Sequence, residues 1–250
     1  MLGTPGTPGM ARMSIGFYAQ LTPEERDSLQ PLLTPRHVLR GGALFRQGDR
    51  PEGLFLIHSG CVKLIQSSSH GRDVIMELLF AGDFCGALCT AECTPYSLSA
   101  ICLEDVEAGF VPRQRFQETA LRMPGLLLKA TSVCREKMKL QREMAVGLAV
   151  ESADQRAARA LLTLAARLGE LQTRGVRLRM PLDRQGFAEL IGTTTETAIR
   201  IFSRFRRKGF LVEAEDGYLV LPDLKALQTL TQIDGMDWLE QYHSAHVGAH

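Results

Sequence analysis

The twenty-six residues from Asp183 to Lys208, DRQGFAELIGTTTETAIRIFSRFRRK, constrain the fold more than any other stretch of the chain. Phe187, Ala188, Leu190 and Ile191 put apolar groups on one side of a first helix, and Gly192 ends it with a residue that tolerates a positive φ. Thr193 to Thr195 supply hydroxyls able to cap a second helix. In that helix Ala198, Ile201, Phe202 and Phe205 fall on an inward face, leaving Glu196, Arg200, Arg204, Arg206, Arg207 and Lys208 for the other. One carboxylate among guanidiniums on a short exposed helix suits the DNA major groove, where Arg grips guanine bidentately and Glu accepts from cytosine. A surface helix with a solvated charge stripe has the same pattern. The residues that follow separate the two: Leu211 to Ala214 and Tyr218 to Leu221 are β-rich runs around Asp216-Gly217, a hairpin signal. Helix, turn, helix, hairpin is a winged helix, and the reading is double-stranded DNA binding.

Charge is consistent with this only when taken locally. The whole 250-residue chain carries a formal +1, but Asp154 to Leu230 holds 13 Lys+Arg against 9 Asp+Glu, so that segment is +4 and the rest slightly acidic. At 45% hydrophobic and 23% charged the composition is that of a soluble protein with room for two domains. No run of about 18 apolar residues marks a membrane span. The N-terminal MLGTPGTPGMARMS lacks the basic and apolar regions of a secretory signal and reads as a disordered tail. Six cysteines without such a signal point to reduced thiols and a cytoplasmic setting, and no Cys-x-x-Cys spacing suggests zinc.

In chain order, Phe17 to Leu33 is a helical lead-in, with Thr22-Pro23-Glu24-Glu25 as cap and first turn. From His37 to Pro112 short β-rich runs alternate with glycine turns at Gly48-Asp49, Ser59-Gly60, His70-Gly71 and Gly82-Asp83, predicting an antiparallel barrel or roll. Between Gln114 and about Ser152 the period is helical, interrupted at Met123-Pro124-Gly125. Val133, Lys137, Leu140, Met144 and Leu148 step by three and four, as a dimerising helix would. Asp154 is expected to cap a helix from Gln155 to Leu168, and a strand is expected from Val176 to Met180. The divisions are a tail (1–16), a β-roll sensor (17–116), a dimerisation helix (117–152), a winged helix (153–230) and a C-terminal tail (231–250).

From Phe17 to Leu230 the chain resembles the Crp/Fnr transcription regulators. The N-terminal marks are Leu44-Phe45-Arg46-Gln47-Gly48-Asp49, Gly53 to Val62, Gly71-Arg72-Asp73 and Gly82-Asp83-Phe84-Cys85-Gly86; the C-terminal mark is Ile191 to Arg200. The resemblance implies an α+β fold: an antiparallel β-roll of the cyclic-nucleotide-binding type, a long dimerisation helix and a winged helix-turn-helix. It implies a homodimer on a palindrome with a TGA-like core, and RNA polymerase as a partner. By the same resemblance Glu196 and Arg200 read bases, Arg184, Gln185, Thr194 and Thr197 hold phosphates, and Thr195 tunes base choice. Phosphate contacts set register without reading sequence.

The effector region departs from the family pattern. Cyclic-nucleotide-binding members place a Glu and an Arg-Ser pair on the ribose and the phosphate. Here the Glu position after Cys85-Gly86 is Ala87, and the Arg-Ser site reads Leu98-Ser99. A buried phosphate without its guanidinium is an unpaired charge costing several kcal/mol, which weighs against cyclic AMP. The helix position that meets the base is Gln141-Arg142, and Arg142 is a candidate replacement cation. Cys85, Cys89 and Cys93 stand four apart; if 86–92 forms a helical turn, the first two share a face. They read as core fillers first, then as a redox switch or as soft ligands for haem or an iron-sulfur cluster. Oxygen-sensing relatives keep cluster cysteines near the N-terminus, and none precedes Cys61. Carbon-monoxide-sensing relatives follow their ligating Cys with a His, and none lies between His70 and His243. No cofactor is therefore expected. A regulator that binds no effector at all, an interaction module without DNA binding and an enzyme are the remaining readings. The last lacks a Gly-rich phosphate loop, a G-x-S-x-G elbow or paired carboxylates.

Overall fold

The structure is a computed structural model and describes residues 16–67, 73–86, 94–214 and 218–231. The chain opens with two short helices, α1 (Phe17–Gln20) and α2 (Pro23–Leu29), then a 3-10 turn (Gln30–Leu32). Thr22 and Glu25 cap α2 reciprocally: the Glu25 N–H donates to the Thr22 hydroxyl at 3.3 Å and the Thr22 N–H to the Glu25 carboxylate at 2.8 Å. Glu25 also pairs with Lys129 further along the chain, which ties the lead-in down.

Eight strands follow: β1 (Thr34–Val38), β2 (Ala43–Phe45), β3 (Gly53–Ser59), β4 (Val62–Ser67), β5 (Asp73–Leu79), β6 (Phe84–Gly86), β7 (Ser99–Cys102) and β8 (Val106–Pro112). They form two antiparallel four-stranded sheets, ordered β1-β8-β3-β6 and β2-β7-β4-β5. The sheets face each other across Phe45, Phe55, Ile57, Val62, Leu79, Cys85 and Phe110, among others. This is the expected roll, and its β-rich region begins at β1, a few residues before His37. Gly86 ends β6 at φ +107°, where a Cβ would stand 2.4 Å from the Gly53 carbonyl oxygen, so only glycine lets β6 lie this close to β3.

Helix α3 (Arg113–Arg122) stops at Met123, and α4 (Pro124–Val150) starts with Pro124 at its first position, where a missing N–H costs nothing. Helix α5 (Ala153–Leu168) is capped by Ser152, with Gln155 returning the hydrogen bond, rather than by Asp154 as expected. Asp154 sits one position inside the first turn and takes another partner, described below. A third antiparallel sheet, β11-β12-β10-β9, carries the C-terminal part: β9 (Glu170–Gln172), β10 (Gly175–Arg179), then helices α6 (Arg184–Leu190) and α7 (Thr195–Arg207), then β11 (Val212–Glu213), β12 (Tyr218–Leu221) and α8 (Leu224–Thr231). Strand β9, exposed at each of its residues, carried no periodic signal. The core of this part includes Leu161, Leu178, Phe187, Phe202 and Phe205, and continues into Cys61 and Phe80 of the roll.

The stripe read as a dimer seam does not face outward as one surface. Val133 is buried against the lead-in helices. Lys137 turns to its own chain, donating to the Glu77 carboxylate at 2.9 Å and the Phe84 carbonyl at 3.1 Å. Leu140, Met144 and Leu148 line a cleft between α4, α5, α6 and β5. Burial of Val133 and the pull of Glu77 turn the first part of the stripe inward, while Leu140 and Leu148 stay exposed at the cleft. The outward face of α4 is Leu128, Thr131, Arg135, Met138, Arg142, Ala145 and Ala149, each exposed and alternately three and four apart. Readings that fall on Ala87, Cys89, Cys93, the 86–92 turn, His70-Gly71, Asp216-Gly217 and the two tails lie outside the described residues.

Candidate nucleic-acid interface

The α6–turn–α7 unit is held by its own local chemistry. The Asp183 side chain accepts from the Gly186 N–H at 2.7 Å and caps α6. Gly192 takes φ +63° in the turn, where a Cβ would meet the Leu148 side chain at 2.5 Å. Thr194 caps α7, accepting from the Thr197 N–H at 3.3 Å. Ala198, Ile201, Phe202 and Phe205 are all buried, as their spacing predicts, and Phe202 meets Phe187 edge to face with ring centres 5.0 Å apart.

On the other face of α7, Glu196 and Arg200 are exposed one turn apart, and the Arg200 Nε donates to the Glu196 carbonyl at 3.4 Å. Its own backbone N–H and the Thr194 hydroxyl hold the Glu196 carboxyl below its ordinary range, with Arg200 adding attraction, so Glu196 is ionised and accepts hydrogen bonds at neutral pH. Gln185, Thr194, Thr195 and Glu196 line one concave surface of about 720 Å³, bounded on the far side by Asp73 and Val74 of β5. Thr197 is half-buried, one residue further along α7.

Three of the cations on this unit are already spoken for. Arg184 pairs with Glu213 of β11 and lies 3.7 Å from the Phe202 ring centre. Arg206 reaches the same Glu213 at 3.6 Å. Arg204 pairs with Asp154, which anchors α7 to the first turn of α5. Sequence periodicity had put Arg204 and Arg206 on the free face, and the resemblance had put Arg184 on phosphate; neither found these acids, of which those for Arg184 and Arg204 lie 29 and 50 positions away. A further link missed in the sequence is Lys63 of β4, which pairs with Glu189 of α6 at 3.1 Å and seats the unit against the roll.

Residues 35–122 match the cyclic nucleotide-binding domain family and residues 155–230 the Crp-like helix-turn-helix domain family. The transcriptional activator protein anr of Pseudomonas aeruginosa is 28% identical over 196 residues, 78% of this chain and 80% of that protein. The transcriptional activator protein FnrA of Stutzerimonas stutzeri is 26% identical over the same shares of each chain. The solved structure of FixK2 from Bradyrhizobium japonicum superposes with a TM-score of 0.73 at 20% identity, covering 81% of this chain and 99% of that one. The chain belongs to the Crp/Fnr family. It is a DNA-binding transcription regulator of that family, with the roll, long helix and helix-turn-helix arrangement expected of it.

In this Crp/Fnr regulator the described residues of the expected effector pocket fall in three places. Cys85 and Leu98 join the roll core, and buried Ser99 accepts from the Gln47 N–H at 2.9 Å. Gly86 closes against Gly53. Gln141 lines the separate cleft beside α5, while Arg142 is exposed on the outward face of α4. Two ring pairs lie in the roll core: Phe45 stacks on Tyr96 at 4.0 Å between centres, and Phe55 sits 4.9 Å from Phe110. Burial pushes the Cys85 thiol up to about 12 and Cys102 to about 11, and raises Cys61 and Cys134 as well. Among the described residues no group of three His, Cys, Asp or Glu could hold a metal ion, and no helix is long and apolar enough to cross a membrane.

Proposed function

We propose that this regulator acts in the cytoplasm as a homodimer on a palindromic site with a TGA-like core, Glu196 and Arg200 of each copy reading base edges in the major groove. The observation that carries this reading is their placement: an ionised carboxylate and a guanidinium, exposed one turn apart at the start of α7, on a helix fixed from behind by four buried side chains. Arg200 then takes the O6 and N7 of a guanine, and Glu196 the N4 amino group of a cytosine. Arg184, Gln185, Thr194 and Thr197 hold phosphates, with Thr195 adjusting base choice. The exposed three-and-four stripe of α4 is the surface on which two copies pair, which sets the two recognition helices about one duplex turn apart. RNA polymerase is the further partner, in keeping with the activators among the relatives.

Control by cyclic AMP is not part of this reading. Ring pairs take up part of the roll interior, and Leu98 stands where the family pattern has its phosphate-binding Arg. Nor is a thiol sensor, haem or iron-sulfur cluster assigned to the described cysteines, because thiols raised so far by burial carry almost no thiolate at neutral pH. The test is selection from a random duplex pool at fixed salt, followed by sequencing of the bound fraction. A two-fold motif with G·C pairs at symmetric positions supports the proposal; a bound fraction without a motif overturns it.

A further inference from the structure

The cleft at the elbow between α4 and α5 is not used by DNA reading. Four elements wall it: β5 with Glu77 and, just past its end, Phe80; α4 with Leu140 and Met144; α5 with Arg156 and Arg159; and α6 with Leu190. Its volume is about 230 Å³, and most of its surface is apolar, at the small end of ligand sites.

The charges around it balance in an informative way. Lys137 pairs with Glu77, Arg167 with Asp83, and Arg159 with Glu151. The remaining acid of the wall, Glu143, lies 4.0 Å from Lys139. Arg156 is different. Its guanidinium donates to three backbone carbonyls, those of Ile191 at 2.7 Å, Glu151 at 2.6 Å and Gly192 at 3.4 Å. Among the described residues no carboxylate pairs with it. Of the charged side chains that line the cleft, four are cations (Lys137, Arg156, Arg159 and Arg167) and two are carboxylates (Glu77 and Glu143), and Glu143 also attracts Arg159. Beside Arg156, the Arg159 side chain, although paired with Glu151, keeps its buried Nε and Nη2 without a hydrogen-bond acceptor among the described residues, as Glu151 keeps one oxygen without a donor, and burial, opposed by Glu143, pulls the Arg159 guanidinium below its usual value. A buried donor without an acceptor is costly, and more so when charged.

We propose that this cleft is the binding site of a small monoanionic amphiphile, an alkyl or aryl carboxylate. The carboxylate supplies an acceptor beside Arg156 and Arg159, in a lining where cations outnumber carboxylates. The apolar body lies along Leu140, Met144 and Phe80, removing that surface from water. The walls come from the roll, the long helix and the DNA-reading unit, so a ligand seated here contacts every part whose relative placement sets the positions of the recognition helices. A ligand that favours one such placement shifts DNA affinity, and DNA shifts ligand affinity by the same factor. That consequence rests on the DNA-reading proposal; the binding itself does not.

The experiment uses the full chain without DNA, so its failure and that of the DNA-reading proposal are told apart. Titration with 1-anilinonaphthalene-8-sulfonate, an anion with an apolar body, is expected to give a saturating fluorescence rise at one site per chain. Decanoate should displace the probe, and decanol about tenfold less well, the charge being the difference. Met144→Trp, which fills the cleft, should abolish the site, and Arg156→Gln should bring decanoate and decanol to equal potency. Equal potency on the unaltered protein, or an unchanged titration of folded Met144→Trp, overturns the proposal. The comparison of acid with alcohol on the unaltered protein needs no variant to fold.

Discussion

A guanidinium that is to meet phosphate needs somewhere to rest before DNA arrives, and Arg184 rests on Glu213 and the Phe202 ring. Binding phosphate then means exchanging one anion for another, and Glu213 also repels the backbone. Glu213→Gln should therefore tighten DNA binding and steepen the dependence of log K on log salt by about 1, read from binding isotherms at several salt concentrations. A shallower slope would place Arg184 outside the interface. The cysteines make the opposite point about reactivity. Cys85 and Cys102, raised to about 12 and 11 by burial, should resist iodoacetamide in the native protein and react on unfolding, as peptide mapping by mass spectrometry would record. Rapid native alkylation of Cys85 would reopen the redox reading. At this scale the sequence was informative about residue type and poor about pairing. The spacing of Glu196 and Arg200 could be read directly, whereas the acids that claim Arg184 and Arg204 lie 29 and 50 positions away.

At the scale of elements, the parts with local rules were legible. Thr22, Asp183 and Thr194 cap their helices as their residue types suggest, and Gly192 turns at positive φ as the motif requires. Thr194→Ala should cost about 1 kcal/mol of stability, measured by urea unfolding, and should weaken DNA binding besides, since the hydroxyl both caps α7 and steadies Glu196. An unchanged midpoint would mean the cap is dispensable. Elements without local rules were not singled out. β6 has three residues, and β1 carries Pro35 with almost every residue exposed, so neither shows alternation. The cap of α5 was misplaced from Ser152 to Asp154 because both residue types cap well, and only the Ser152–Gln155 exchange of hydrogen bonds separates them.

For the whole molecule, the instructive difference is the face of α4. Periodicity identified a helix with an apolar stripe but not which of two neighbouring stripes faces the chain's own roll, because that depends on where β5 places Glu77. If two copies pair on this stripe as proposed, Met138→Glu should convert the proposed dimer to monomer in sedimentation velocity, since two new carboxylates would face each other across the pairing surface. Lys137→Ala should leave the dimer intact and lower stability by about 1–2 kcal/mol, because it strands a largely buried Glu77 whose carboxyl burial already pushes up. The reverse outcome would restore the stripe of Val133, Lys137 and Leu140 as the seam.

The reading of DNA by α7 is tested most directly by a base-pair scan. Every position of a selected duplex is substituted in turn, and affinities of the unaltered protein and Arg200→Ala are compared at one salt concentration. Arg200→Ala is expected to lose about 1–3 kcal/mol and to lose discrimination only at one symmetric G·C pair. Uniform weakening with every preference intact would contradict it, showing that Arg200 touches phosphate and that the bases are read elsewhere.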